Sequence, residues 1–173
     1  YSSAASDVYK RQLFDWLDAR QPDQDSRDAV GAYLRQHQGG PQMGILLLDL
    51  DGDDSKLQVT FDSLVAGASR SFRLIVFTSR AVPAKTSLQD TLHFVRVTQD
   101  NYIDQINQVA RQTACEWLML AEAGDQFTAG GLLRAGLELM GASGCRAVAV
   151  DEIQQLSSGI WRCLLYTSAA ADE

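Results

Sequence analysis

GILLLDLDGDDSK, residues 44–56, decides the fold. Its first half is apolar through Leu48, and its second half carries Asp49, Asp51, Asp53 and Asp54. An uncharged run of this length reads as a strand covered on both faces, here MGILLLDL (43–50). Behind the acids, Leu57, Phe61, Leu64 and Val65 recur at i, i+4, i+7 and i+8, which predicts a helix capped by Asp54 or Ser55. The helix macrodipole favours acids at such an entry, so capping is also the plain reading of Asp51.

The same rhythm continues outward. FRLIVFTS (72–79), LHFVRVT (92–98), EWLMLAEA (116–123) and RAVAVDE (146–152) predict four further strands. Ile103, Ile106, Ala110 and Ala114 stripe one intervening helix, and Thr128 opens another that carries Leu132, Leu133, Leu139 and Met140. Upstream, LFDWLDAR (13–20) is a short amphipathic helix broken by Pro22. A second helix, capped by Asp25 or Ser26, carries Val30, Tyr33 and Leu34 and stops at Gly39-Gly40. Strands alternating with helices predict an α/β fold with three layers and a mostly parallel sheet. Ligands of such sheets bind outside the carboxyl ends of the strands. Asp49–Asp54, Thr78–Arg80 and Glu122–Asp125 therefore form one polar rim.

Composition narrows the function. The chain has 173 residues, 46% of them hydrophobic and 21% charged, as in a globular domain with a real core. A net charge of −7 disfavours nucleic acid as a partner. No apolar run approaches the ~20 residues of a membrane span. Cys115, Cys145 and Cys163 are odd in number and lack metal-ligand spacing, which fits free thiols and a cytoplasmic location. Trp16 and Trp117 read as packing residues. SDVYKRQ (6–12) and CLLYTS (163–168) resemble translated sequencing-adapter read-through, so 1–12 and 163–173 are read as non-native ends.

Two readings of the acidic stretch can be compared on chemistry. A calcium loop counted from Asp49 would need Gly and Glu where Asp54 and Thr60 stand. Haloacid-dehalogenase-type phosphatases are a closer likeness. LLLDLDG resembles their nucleophile strand, LIVFTS their phosphate-binding strand and AGD their metal-binding Gly-Asp. That resemblance would make Asp49 the nucleophile, Asp51 the acid/base, Thr78 a phosphate ligand and Asp125 a Mg²⁺ ligand. Asp53 stands where that family carries Thr or Val, and Arg111 is the basic candidate before Glu116.

A second resemblance covers 13–155. LFDWL is similar to a Tyr-x-x-Trp helix, Asp62-Ser63-Leu64 to the end of a first helix, and DNYIDQINQVARQTACEWLMLAEAGDQFTAGGL to the segment leading into an acidic metal motif. Together these resemble the inverting, family-2-like glycosyltransferases with the A-type nucleotide-sugar fold. The resemblance implies a helical preface over 13–40 and a nucleotide-sugar-binding half of such a domain over 41–162, incomplete at its C-terminus. It implies transfer of a sugar from a nucleoside-diphosphate donor to a glycan acceptor. Asp51, Thr78, Ser79 and Asn107 would bind the donor. Glu122 and Asp125 would hold Mg²⁺ or Mn²⁺, with Gly124 where the family has its second acid. Asp151 and Glu152 would lie on the acceptor side. The family's catalytic base comes beyond Arg162 and is not assigned. Thr78-Ser79 stands where that family has an Asp pair, so a degenerate, non-catalytic scaffold domain is the alternative. Further domains of a larger synthase, and membrane association through partners, complete the expectation.

Overall fold

The structure, a computed structural model, describes residues 3–82, 85–142, 144–155 and 161–164. The chain divides into two compact units. One runs from Pro22 to Gly141; the other combines Tyr1–Gln21 with Ala142–Glu173. The helical preface expected over 13–40 is thus split at Pro22. That residue belongs with the second helix, because Arg27 Nε donates to its carbonyl at 2.9 Å.

The larger unit is an α/β sandwich. Its elements are α2 (Gln24–Gln36), β1 (Met43–Asp49), α3 (Asp54–Ala66), β2 (Phe72–Thr78), β3 (Leu92–Arg96), α4 (Tyr102–Gln112), β4 (Trp117–Glu122) and α5 (Gly131–Gly141). The four strands form one sheet in the order β3-β2-β1-β4. Every neighbouring pair is parallel, with Leu47 facing Val76 on one side and Ala121 on the other. This is a Rossmann-like arrangement. The chain moves outward from β1 through β2 to β3, then crosses over through α4 to the opposite side of β1.

Strand alternation sends β1 residues to two cores. Met43, Ile45 and Leu47 join Leu74 and Val76, covered by Leu57, Phe61 and Leu64 of α3 and Leu132, Ala135 and Leu139 of α5. Leu46 and Leu48 face the other way with Ile75 and Phe77, against Tyr102, Ile106 and Val109 of α4. Ile45, Leu47, Ile75, Val76 and Phe77 are 0% exposed. Each such side chain contributes about 1.5–3 kcal/mol by leaving water, which is why the two apolar runs become the central strands. On α4 the buried stripe is Tyr102, Ile106 and Val109; Ile103 is exposed and Ala114 lies past the helix end.

β4 is one of the two edge strands, and one of its faces is bare. Leu118 and Leu120 are 41% and 62% exposed, because α4 covers β1 and β2 instead. The fifth strand expected at 146–152 does not join this sheet. Residues 146–151 are irregular, and Val148 and Val150 are exposed. With Ala at the intervening positions, that run offers little side-chain surface to bury.

In the smaller unit, α1 spans Ser3–Asp18. It begins well before the short helix expected at 13–20, since no Gly or Pro interrupts 3–18. Arg20 stacks its guanidinium 3.8 Å from the Trp16 ring. β5 (Glu152–Gln155) and β6 (Trp161–Leu164) pair antiparallel. Of the stretch read as a non-native end at 163–173, residues 165–173 lie outside the described residues.

The two-sided burial of β1 has a measurable consequence. Leu47→Ala should lower the unfolding free energy by about 2–5 kcal/mol. Leu120→Ser, on the bare face of β4, should change it by about 0.5 kcal/mol or less. Urea denaturation of the full chain reads both. A large loss from Leu120→Ser would mean that this face is covered in solution.

Candidate functional site

The site grows from the carboxyl end of β1. Asp49 is 2% exposed and stands in register with Thr78 of β2. Thr78 Oγ1 donates to Asp49 Oδ2 at 2.7 Å, and the backbone N–H of Asp53 donates to Asp49 Oδ1 at 3.1 Å. Thr78 Oγ1 in turn accepts from the Arg80 N–H at 3.2 Å. A buried carboxylate is costly without partners, and these two donors satisfy both of its oxygens. They also fold the chain from 49 to 53 back onto β1. Gly52 completes the turn at φ 67°, and a Cβ there would meet Arg80 Cγ at 2.8 Å.

The next acid ends the turn. Asp53, not Asp54 or Ser55, caps α3: its Oδ1 accepts from the Ser55 N–H at 2.9 Å, the Ser55 hydroxyl at 2.6 Å and the Lys56 N–H at 3.3 Å. The Ser55 hydroxyl and the backbone donors of Lys56 and Ser55 hold its carboxyl below the usual carboxylate range. In the same way Asp23, rather than Asp25 or Ser26, caps α2 through the Ser26 N–H. Asp54 instead pairs with Arg80, which also donates to the Gly52 carbonyl at 3.3 Å. Asp51 caps nothing. It is exposed and pairs with Lys56 Nζ at 3.4 Å.

β4 delivers the opposite wall. Glu122 faces Leu48 in register, and the Ala123 N–H donates to the Leu48 carbonyl at 2.8 Å. The chain then turns through Gly124 at φ 107°. The Gly124 N–H donates to Thr60 Oγ1 at 2.9 Å, and the Phe127 N–H donates to Ser63 Oγ at 3.0 Å. Asp125 folds back, its Oδ2 accepting from the Glu122 N–H at 2.8 Å. Between the walls lies an open cleft of about 330 Å³ lined by Leu48, Asp49, Leu50, Asp51, Lys56, Gln99, Glu122 and Ala123. It sits between β1 and β4, where the strand order reverses and open α/β sheets hold their ligands.

The expected site residues fare unequally. Asp51 and Glu122 reach this cleft together. Thr78 does not offer its hydroxyl to a ligand, because it is buried and committed to Asp49. Ser79 is exposed on the rim but outside the cleft lining, and Asn107 is exposed in the middle of α4. Asp151 and Glu152 belong to the smaller unit, where Glu152 opens β5 and accepts from Gln154 Nε2 at 2.6 Å. Lys56 and Gln99 line the cleft and were not expected there. Lys56 carried a signal: it is a lone base in the first turn of a helix, where the macrodipole disfavours positive charge.

A divalent cation finds few ligands here. Among the described residues no three His, Cys, Asp or Glu side chains gather as a cation site. Glu122 is open, but one oxygen of Asp125 is engaged in its own turn. Gly124, where the family resemblance puts the second acid, holds a backbone conformation that side-chain-bearing residues rarely adopt. The donor set thus fits Mg²⁺ or Mn²⁺ poorly. Set beside known proteins, the chain matches no family model, no curated protein and no solved structure.

These contacts can be tested in two ways. Thr60 is 0% exposed. Thr60→Val should strand the Gly124 N–H and cost about 1–3 kcal/mol in urea denaturation; an unchanged midpoint would mean the loop is not held this way. The second test concerns Asp53, whose folded pKa is depressed. Its contribution is present above the unfolded carboxylate value of about 3.9 and is lost as pH falls through the lower folded value. A carboxyl titration followed by NMR should place the Asp53 midpoint below that of a free Asp. A midpoint at or above it would contradict the cap.

Proposed function

We propose that this chain is a nucleotide-sugar-binding glycosyltransferase domain of the A type, moving a sugar from a nucleoside-diphosphate donor to a glycan acceptor. The observation that supports it most is the cleft between β1 and β4. Asp51 from the turn after the first strand and Glu122 from the end of the fourth both line it, in the chain order of the family resemblance. The parallel order β3-β2-β1-β4 and the unbroken helix-strand segment from Tyr102 to Glu122 agree with it.

In this reading Asp51 accepts hydrogen bonds from donor hydroxyls, as an exposed carboxylate beside a turn can. Gln99 offers an amide able both to donate and to accept. The departing nucleoside diphosphate develops negative charge, and transfer is faster where fixed positive charge or donors meet it. No catalytic base is assigned.

The non-catalytic scaffold is the second reading. What favours it is the burial of Thr78 and the self-engaged Asp125, which remove two expected ligands. The phosphatase reading loses ground on a specific contact. An attacking carboxylate must reach phosphorus, whereas both oxygens of Asp49 are occupied by Thr78 and Asp53.

Calorimetry of the full chain with UDP-glucose, GDP-mannose and dTDP-glucose, each with and without Mn²⁺, tests the proposal. Binding of at least one donor in the range of about 1 µM to 1 mM is expected. Silence from every donor would remove the transferase reading. Phosphatase activity lost in Asp49→Asn would replace it.

A further inference from the structure

We propose that Lys56 supplies the positive charge for the donor diphosphate, so that this cleft binds nucleoside diphosphates without a divalent cation. The inference rests on the nucleotide-sugar reading above and names the residue that reading leaves open.

The electrostatics require some such group. The exposed carboxylates of Asp51 and Glu122 belong to the cleft lining, and a diphosphate brings about two more negative charges. Three sources could offset them. A divalent cation is poorly provided for, as the engaged Asp125 and the glycine at 124 indicate. The N-terminus of α3 points its donors toward the rim, but Asp53 has taken the N–H groups of Ser55 and Lys56. Lys56 is the cation in the lining.

Its present engagement is easily given up. Lys56 Nζ lies 3.4 Å from Asp51 Oδ2, with the two side chains 51% and 77% exposed. An exposed pair of that kind is worth about 0–1 kcal/mol. A diphosphate oxygen offers more charge and several acceptors, so the ammonium can turn from Asp51 to the ligand. The stem is already aligned. A Cβ placed on Gly124 would lie 3.7–3.9 Å from Lys56 Cγ, Cβ and Cδ. The Lys56 stem therefore runs alongside the glycine that replaces the expected second acid. One wall lacks a carboxylate at that point, and the neighbouring side chain carries an ammonium.

The test uses UDP, GDP, ADP and dTDP as probes on the full chain, titrated calorimetrically in EDTA and again in Mn²⁺. The wild type should bind at least one of them in EDTA, with affinity within about threefold of that in Mn²⁺. Lys56→Met keeps the apolar stem and should weaken binding by about tenfold or more, while Lys56→Arg should retain most of it. Thermal unfolding of each variant confirms that it is folded; should Lys56→Met fail, Lys56→Gln takes its place. Binding that needs Mn²⁺, or that survives the loss of the Lys56 charge, overturns this inference and leaves the transferase reading standing. No binding of any probe under either condition overturns both.

Discussion

The rim of this sheet is organised around one buried carboxylate. Asp49 ends a strand that is apolar on both faces and is itself almost wholly buried. It persists there because Thr78 and the Asp53 N–H satisfy its two oxygens. Those bonds set the path from 49 to 53. Asp53 then arrives where it can cap α3, Asp51 is left outside the turn, and Lys56 emerges one step into the helix beside it. The chemistry of the cleft is thus a consequence of how a single charge is accommodated at the end of a core strand.

The second wall is held by small hydroxyls. Thr60 and Ser63 of α3 accept from the backbone of the β4–α5 loop at 2.9 and 3.0 Å. One helix therefore fixes both sides of the cleft: its N-terminus by Asp53, and its buried face by Thr60 and Ser63. Rigid backbone with exposed, weakly paired side chains is a suitable basis for binding a polar ligand, because the loops need little ordering when the ligand arrives. The bare Leu118 and Leu120 on β4 mark where this order stops.

The central strands were legible because burial on two faces writes uninterrupted apolar runs, and 43–49 and 72–78 carry them; 117–122 carries such a run with one face bare. Sheet order was not contained in those runs. RAVAVDE also carries an apolar run, yet Val148 and Val150 stay exposed, since a strand needs a neighbour as well as a pattern. Cap positions slipped because several acids or serines in a row can each serve, and geometry chooses among Asp53, Asp54 and Ser55. Thr78 read as a ligand because it ends a strand at the rim. Its engagement depends on register with Asp49, a relation between distant residues that no local pattern records. Lys56 was visible only as a charge out of place at a helix start.

If the cleft works as proposed, a nucleoside diphosphate settles between β1 and β4. Backbone amide NMR of the uniformly ¹⁵N-labelled full chain, titrated with UDP, GDP, ADP and dTDP, tests this most directly. Shifts that saturate with one of these probes and concentrate at Leu50, Asp51, Lys56, Gln99, Glu122 and Ala123 are the predicted result. Saturating shifts confined to other parts of the chain, or none with any probe, would contradict it.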